Sequence, residues 1–160
     1  MRCAVTGSFD PITKGHVDII KRARTMYDEV YVVVLNNEAK EYMFSLEDRT
    51  RIVRDTLSDM DRVIVDNYAG MVIDYCDIHD IHVVVRGFRN SKDFEYETLM
   101  SEWNREHGSI ETLLLPQDNI SYSNISSTVA RQNIGNTEVL SEYLLDKTIN
   151  TIKEIINNGK

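Results

Sequence analysis

Five short apolar runs, separated by amphipathic stretches, constrain the fold of this chain more than any other feature. The clearest is Val30 to Leu35, which reads VYVVVL without polar alternation. Such a run indicates a strand buried on both faces, as in a parallel sheet covered by helices on each side. The other runs cover residues 3–5, 63–65, 82–86 and 111–115.

Helical patterns lie between and after these runs. They predict helices that begin near Lys14, after Ser45, and at about residues 69 and 92, followed by three shorter helices towards the C-terminus. This alternation predicts one Rossmann-like, doubly wound α/β domain over residues 1–160, with a five-stranded parallel sheet and C-terminal helices. Ligands bind such sheets beyond the carboxyl ends of the strands.

Composition and charge argue against several classes of function for this chain. The net charge is −8 and no basic arm is present, which argues against a nucleic-acid partner. No apolar run approaches the ~20 residues that span a bilayer, and no signal peptide is recognisable, so we expect no membrane association and a cytoplasmic location. The two cysteines, Cys3 and Cys76, lack metal-ligand spacing with the histidines, so we expect buried free thiols and no protein-held metal.

The segment from Thr6 to His16, TGSFDPITKGH, follows the first predicted strand and enters the first helix. Gly7 permits a close approach of backbone to a ligand, and Asp10-Pro11 restricts the turn. Free N–H groups at a helix start attract anions, and His16 lies in that first turn. The alternative is a plain strand-to-helix junction in which His16 only caps or packs.

Polar residues also follow three other strands, and these segments should converge at one sheet edge. Lys40 follows the second strand, Arg86 and Arg89 follow the fourth, and residues 123–128 follow the fifth. Guanidinium groups suit phosphate oxygens, and the hydroxyls of residues 126–128 suit a pyrophosphate. Glu97 could accept a ribose hydroxyl. Each group also has an ordinary alternative as a solvated charge or a helix cap.

These motifs resemble the nucleotidylyltransferase superfamily, whose T-x-G-H signature matches Thr13 to His16. The likeness is more specific to the bacterial phosphopantetheine adenylyltransferases of coenzyme A synthesis. Three further segments carry it: KEYMFSLEDR from Lys40 to Arg49, RGFRNSKDFEYE from Arg86 to Glu97, and YSNISST from Tyr122 to Thr128.

The resemblance implies direct transfer of the adenylyl group of ATP to 4′-phosphopantetheine, with Mg²⁺ as cofactor and a homohexameric assembly. It implies catalytic roles for His16 and Lys40. The implied phosphopantetheine-binding residues are Ser8, Lys40, Val72 and Arg86. The implied ATP-binding residues are Ser8, Phe9, His16, Gly87, Phe88, Arg89, Glu97, Tyr122, Ser123, Asn124, Ile125, Ser126, Ser127 and Thr128.

Two other functions remain open from the sequence. The nearest is another small-molecule nucleotidylyltransferase, one that uses CTP or nicotinamide mononucleotide. The second is a nucleotide-binding regulator without turnover, against which the combination of His16, Lys40 and two arginines argues.

Overall fold

The structure, a computed structural model, describes residues 1–117 and 125–159. Its five strands form a single all-parallel sheet in the order β3-β2-β1-β4-β5, which confirms the predicted fold class. The chain builds outward from β1 to β3 and then crosses back to place β4 on the other side of β1. The strands are β1 (Arg2–Gly7), β2 (Glu29–Leu35), β3 (Val63–Tyr68), β4 (Val83–Phe88) and β5 (Glu111–Pro116).

Helices cover both faces of the sheet. The bounds are α1 (Lys14–Met26), α2 (Leu46–Thr56), α3 (Val72–Ile78), α4 (Ser91–Gly108), α5 (Ser127–Gln132), α6 (Thr137–Tyr143) and α7 (Asp146–Asn158). The predicted N-cap Ser45 is confirmed, since its hydroxyl accepts the backbone N–H of Asp48 at 3.0 Å. In the described ranges, no helix is long and apolar enough to cross a bilayer.

The core divides into two clusters because side chains alternate across each strand. Cys3 and Val5 of β1 face the cluster that α1, α2 and α7 cover. Ala4 faces the opposite cluster, which α3 covers with Tyr75 and Cys76. Both cysteines are fully buried and free, as the sequence predicts.

Several element boundaries differ from the sequence predictions, and three of the differences are described here. Strand β3 continues from Val65 to Tyr68 and β4 continues to Phe88, although these extensions are polar or glycine-containing. Pairing explains both extensions, because Asp66 to Tyr68 pair with β2 and Gly87 and Phe88 pair with β5. Helix α3 begins at Val72 rather than near residue 69.

Candidate active site

Two clefts meet at the carboxyl edge of the sheet. The first has a volume of about 690 Å³ and the second of about 460 Å³. They share one wall, which we call the junction: Thr6, Gly7, Ser8, Arg86, Tyr96 and Glu97 line both clefts. A ligand in each cleft would therefore meet its neighbour beside Ser8 and Arg86.

The structure brings most of the predicted site residues together. The first cleft is lined by Ser8, Phe9, His16, Gly87, Arg89, Glu97, Ile125, Ser126, Ser127 and Thr128. The second is lined by Lys40 and Val72. Phe88 lies elsewhere: its ring packs edge-on against Phe94, and it lines neither cleft among the described residues. The predicted residues Tyr122, Ser123 and Asn124 lie outside the described residues.

His16 is the third residue of α1 and forms a capping box with Thr13. The backbone N–H of Thr13 donates to His16 Nδ1 at 3.0 Å. Nδ1 is therefore the acceptor, and a neutral ring carries its proton on Nε2. Burial, together with the charges of Arg86 and Arg89, lowers the pKa of His16 to about 4. Near neutral pH, His16 offers the first cleft an uncharged N–H donor.

This pKa predicts how stability depends on pH. The pKa of a histidine is 6.5 in the absence of such effects and about 4 for His16 in the folded protein. Between these values the unfolded state binds more protons, so the free energy of unfolding should fall as the pH falls through this window. Denaturation of wild type and His16→Gln across the window checks this, and the wild type should lose more. Parallel curves would contradict the low pKa.

Two glycines serve packing as well as the site. A Cβ on Gly7 would lie 3.2 Å from the ring of Phe9, which is 2% exposed and has a φ of 46°. That left-handed backbone is strained for an aromatic residue, and the ring is held against Gly7 and edge-on to His16. A Cβ on Gly87 would lie 2.7 Å from Ile19 Cγ1 of α1. The missing side chains thus admit Phe9 and α1, where the sequence suggested a close ligand approach.

Arg86 and Glu97 form a bidentate ion pair at the junction. The Arg86 Nε and Nη2 atoms donate to the two Glu97 carboxylate oxygens at 2.8 and 2.6 Å. Nη1 donates to the carbonyl oxygen of Thr6. The pKa of Arg86 is raised: burial opposes the charge, but the hydrogen bonds and charge of Glu97 outweigh it. Glu97, predicted to accept a ribose hydroxyl, here orients the guanidinium.

Asp93, in the first turn of α4 and four residues after Arg89, holds Arg89 in the same manner. Its Nε donates to Asp93 Oδ2 at 2.8 Å, and its backbone N–H donates to the same oxygen at 3.2 Å. The hydrogen bonds from Arg89 lower the pKa of Asp93, against a smaller opposing effect of burial. Arg89 lines the first cleft, whereas Arg86 lines both. The two arginines thus occupy different parts of the site.

The three hydroxyls at the start of α5 have distinct partners. Ser126 caps the helix by accepting the N–H of Val129, and Thr128 accepts an N–H of Arg131. Ser127 donates its proton to the carbonyl oxygen of Pro11. Since a hydroxyl carries one proton, Ser126 and Thr128 can still donate to a ligand.

Sequence reasoning missed several residues that line the clefts. Arg131 lines the first cleft and donates to the Asp10 carbonyl oxygen at 2.7 Å. The sequence could have indicated Arg131 as a site residue through its position one turn after Thr128. In the second cleft, Trp103 and the buried Asn104 lie three turns along α4 from its start. Their signal was weaker, because α4 has little amphipathic pattern.

The profile of the cytidylyltransferase-like family matches residues 4–133, and the chain belongs to this family. Solved structures agree on the fold. Plasmodium falciparum nicotinic acid mononucleotide adenylyltransferase has a TM-score of 0.72 at 16% identity, covering 96% of this chain and 95% of its own. A bifunctional NMN adenylyltransferase/ADP ribose pyrophosphatase from Francisella tularensis has a TM-score of 0.71 at 19% identity, covering 98% of this chain and 49% of its own.

One relative is much more similar in sequence than these structures. Phosphopantetheine adenylyltransferase of Streptomyces coelicolor is 40% identical over 131 residues, which cover 82% of each chain. Within the wider family, this chain belongs with the phosphopantetheine adenylyltransferases.

Proposed function

We propose that this protein transfers the adenylyl group of ATP to 4′-phosphopantetheine and releases dephospho-CoA and pyrophosphate. The observation that carries the proposal is the junction, where two clefts of different chemistry share Ser8 and Arg86. The 40% identity to the Streptomyces coelicolor enzyme supports the choice of reaction. The likeness to nicotinic acid and NMN adenylyltransferases extends to the fold alone.

The first cleft suits the nucleotide. Arg89 supplies a fixed guanidinium, and Ser126 and Thr128 retain hydroxyl donors at the start of α5. Arg131 adds a second positive charge close by. Forked guanidinium groups and hydroxyl donors are well matched to the oxygens of a triphosphate.

The second cleft suits an acceptor with a phosphate at one end and an apolar arm. Arg86 supplies positive charge at the junction, and Lys40 supplies a second positive charge in the lining of this cleft. Met71, Val72 and Trp103 supply apolar lining. An amide-containing chain such as pantetheine also needs polar partners, and the buried side chain of Asn104 can provide one.

The chemistry requires alignment and charge neutralisation more than proton transfer. A phosphate monoester is already nucleophilic at neutral pH, so it can attack the α-phosphorus of ATP directly without a general base. The neutral His16 then donates from Nε2 to the α-phosphate as charge develops. Lys40, on an exposed loop, neutralises the attacking phosphate.

We also propose that Mg²⁺ enters as its complex with ATP. In the described part of the chain, the carboxylates that line the first cleft are occupied: Asp10 accepts two backbone N–H groups, Asp93 binds Arg89, and Glu97 binds Arg86. Mg²⁺ is commonly held by substrate phosphates and water with few protein ligands, and this donor set fits that arrangement. Bound to the phosphates, the ion supplies charge neutralisation of the leaving pyrophosphate. Chelation should abolish turnover, and added Mg²⁺ should restore it.

The test of the reaction is pyrophosphate release from Mg·ATP with a panel of acceptors. Phosphopantetheine should support turnover at catalytic enzyme amounts, and dephospho-CoA with pyrophosphate should run the reaction backwards. Turnover only with nicotinamide mononucleotide, or only with CTP as nucleotide, would contradict the assignment. ATP binding without turnover on any acceptor would favour a regulator.

Arg89→Ala should raise the KM for ATP by about 10- to 100-fold, because charge-assisted hydrogen bonds contribute about 1.5–3 kcal/mol. The KM for phosphopantetheine should change much less, since Arg89 lines only the first cleft among the described residues. The control is Arg105→Ala, which removes an exposed charge from α4, the helix that follows Arg89. Steady-state kinetics with each substrate varied decides the matter, and equal changes in both KM values would contradict separate roles.

We further propose a homohexamer. The resemblance to the family supports it, as do four exposed apolar residues on α4: Phe94, Tyr96, Leu99 and Met100 are 39–66% exposed. Exposed apolar groups of this size on one helix favour burial against another subunit. Light scattering after gel filtration should give six times the 18.5 kDa chain mass, and a monomer would contradict the proposal.

We propose that the protein acts in the cytoplasm. The support is chemical, since Cys3 and Cys76 are unpaired thiols, as is usual in reducing compartments. Cell fractionation with an antibody tests this location.

A further inference from the structure

Arg49 of α2 is a fully buried cation that no substrate-binding role explains. Its side chain is 0% exposed, and burial lowers the pKa of its guanidinium, partly offset by Tyr42 and Asp10. Among the described residues, no carboxylate forms an ion pair with it within 4 Å. A buried charge without an ion pair is costly unless every donor finds an acceptor. The positions of the acceptors therefore indicate the role of Arg49.

The acceptors of Arg49 belong to two loops of the site. Nη1 donates to the carbonyl oxygens of Ser8 at 2.8 Å and Leu35 at 2.9 Å. Nη2 donates to Asn36 Oδ1 at 2.7 Å, and Nε donates to the carbonyl oxygen of Phe44 at 3.2 Å. Four of its five N–H groups are thus used. The bonds join the loop after β1 to both ends of residues 36–45, which we call the Lys40 loop.

The ring of Tyr42, a residue of the Lys40 loop, adds a further contact between this loop and Arg49. The guanidinium carbon lies 3.8 Å from the ring centre of Tyr42, and Tyr42 accepts the backbone N–H of Asn37 at 2.8 Å. Asp10 holds the same loop from the other side. Its carboxylate, 4% exposed, accepts the N–H groups of Met43 at 2.9 Å and Phe44 at 3.0 Å. Lys40 lies between these attachment points and is itself exposed.

We propose that Arg49, assisted by Asp10, is a positioning residue that fixes Lys40 relative to Ser8 across the junction. The inference rests on the proposed function, because it assigns Lys40 to the attacking phosphate. Displacement of a catalytic group by about 1 Å can lower a rate about 100-fold without any change in its chemistry. Arg49 itself lines neither cleft among the described residues, so it acts only through the cleft-lining residues that it binds.

The test compares Arg49→Lys with Arg54→Lys, a matched substitution at an exposed arginine of the same helix. A lysine ammonium has three donors at one point and cannot reach four oxygens in different directions. We expect kcat to fall about 10- to 100-fold in Arg49→Lys, with the KM for ATP nearly unchanged. Amide exchange at Met43 and Phe44 should accelerate, and Arg54→Lys should behave as wild type in both measurements.

A double-variant cycle tests whether the effect passes through Lys40. In a Lys40→Ala background, Arg49→Lys should change kcat by less than about twofold, because coupled residues are non-additive. An undiminished effect in that background would overturn the proposal. So would a fall in melting temperature with normal turnover per folded molecule, which would make Arg49 purely structural.

Asp10→Asn provides a second approach if Arg49→Lys does not fold. It removes one of the two carboxylate oxygens, so amide exchange should accelerate at Met43 or Phe44 and kcat should fall. If amide exchange and kcat both stayed at their wild-type values, the proposal would be overturned. Amide exchange also separates this inference from the reaction itself. Absence of wild-type turnover with phosphopantetheine would refute the proposed function. Unchanged amide exchange in Arg49→Lys would instead refute the proposal that Arg49 positions the Lys40 loop.

Discussion

Replacement of His16 by alanine should lower kcat by about 10²- to 10³-fold, the usual effect of removing one preorganised donor. The KM for ATP should change far less, because the proposed hydrogen bond to the α-phosphate strengthens only as charge develops. The structure supplies the required donor. Thr13 occupies Nδ1, and the low pKa keeps the ring neutral, with its proton on Nε2. Single-turnover kinetics measures the step directly.

His16 also has a structural role, because it is part of the capping box at the start of α1. His16→Ala removes the acceptor for the Thr13 N–H, so we expect a loss of about 1 kcal/mol in the free energy of unfolding. His16→Gln keeps an acceptor at this position and should recover stability without turnover. Asn136→Ala removes the comparable cap of α6, far from the site in sequence, and should lose stability while it keeps full turnover. Normal turnover per folded His16→Ala molecule would show that His16 only caps.

Arg86→Met should impair both catalysis and folding. The variant loses a phosphate ligand at the junction, and kcat/KM for phosphopantetheine should fall about 10- to 100-fold. It also leaves the Glu97 carboxylate, whose side chain is 9% exposed, without its partner. Breaking a buried pair costs about 3–5 kcal/mol, and we expect the lower end because the Arg86 side chain is 27% exposed. Urea denaturation and steady-state kinetics measure the two losses.

A second substitution separates these two losses. Arg86→Met with Glu97→Gln removes the unpaired charge, so most of the lost stability should return. Turnover should stay low, because the phosphate still lacks its guanidinium. Recovery of both stability and turnover in the double variant would show that the ion pair serves folding alone.

The parts of the fold that could be predicted from the sequence are those that depend on local patterns. Val30 to Leu35 indicated a doubly buried strand, and the cap at Ser45 fixed the start of α2, because both signals depend on neighbouring residues. The extensions Asp66 to Tyr68 and Gly87 to Phe88 could not be read locally. Their strand conformation comes from hydrogen bonds to β2 and β5, which are distant in sequence.

The site shows the same limit more strongly. The sequence predicted that residues after four strands converge, and the structure places Ser8, Lys40 and Arg86 in the lining of one cleft. It could not show that Arg86 binds Glu97, eleven residues later, or that Arg49 bonds Ser8 across 41 positions. Such contacts depend on how α2 and α4 pack on the sheet. The roles assigned to the individual site residues remain predictions for the experiments above.

The division of the core into two clusters leaves one thiol on each side of the sheet. Burial raises the pKa of Cys3 to about 12 and that of Cys76 to about 11. The thiolate is the reactive form, so alkylating reagents should modify these residues only in molecules that have opened locally or globally. Labelling at Cys3 therefore reports opening beneath α1 and α2, and labelling at Cys76 reports opening beneath α3. The native sequence thus carries two chemical reporters that distinguish which half of the molecule loosens first.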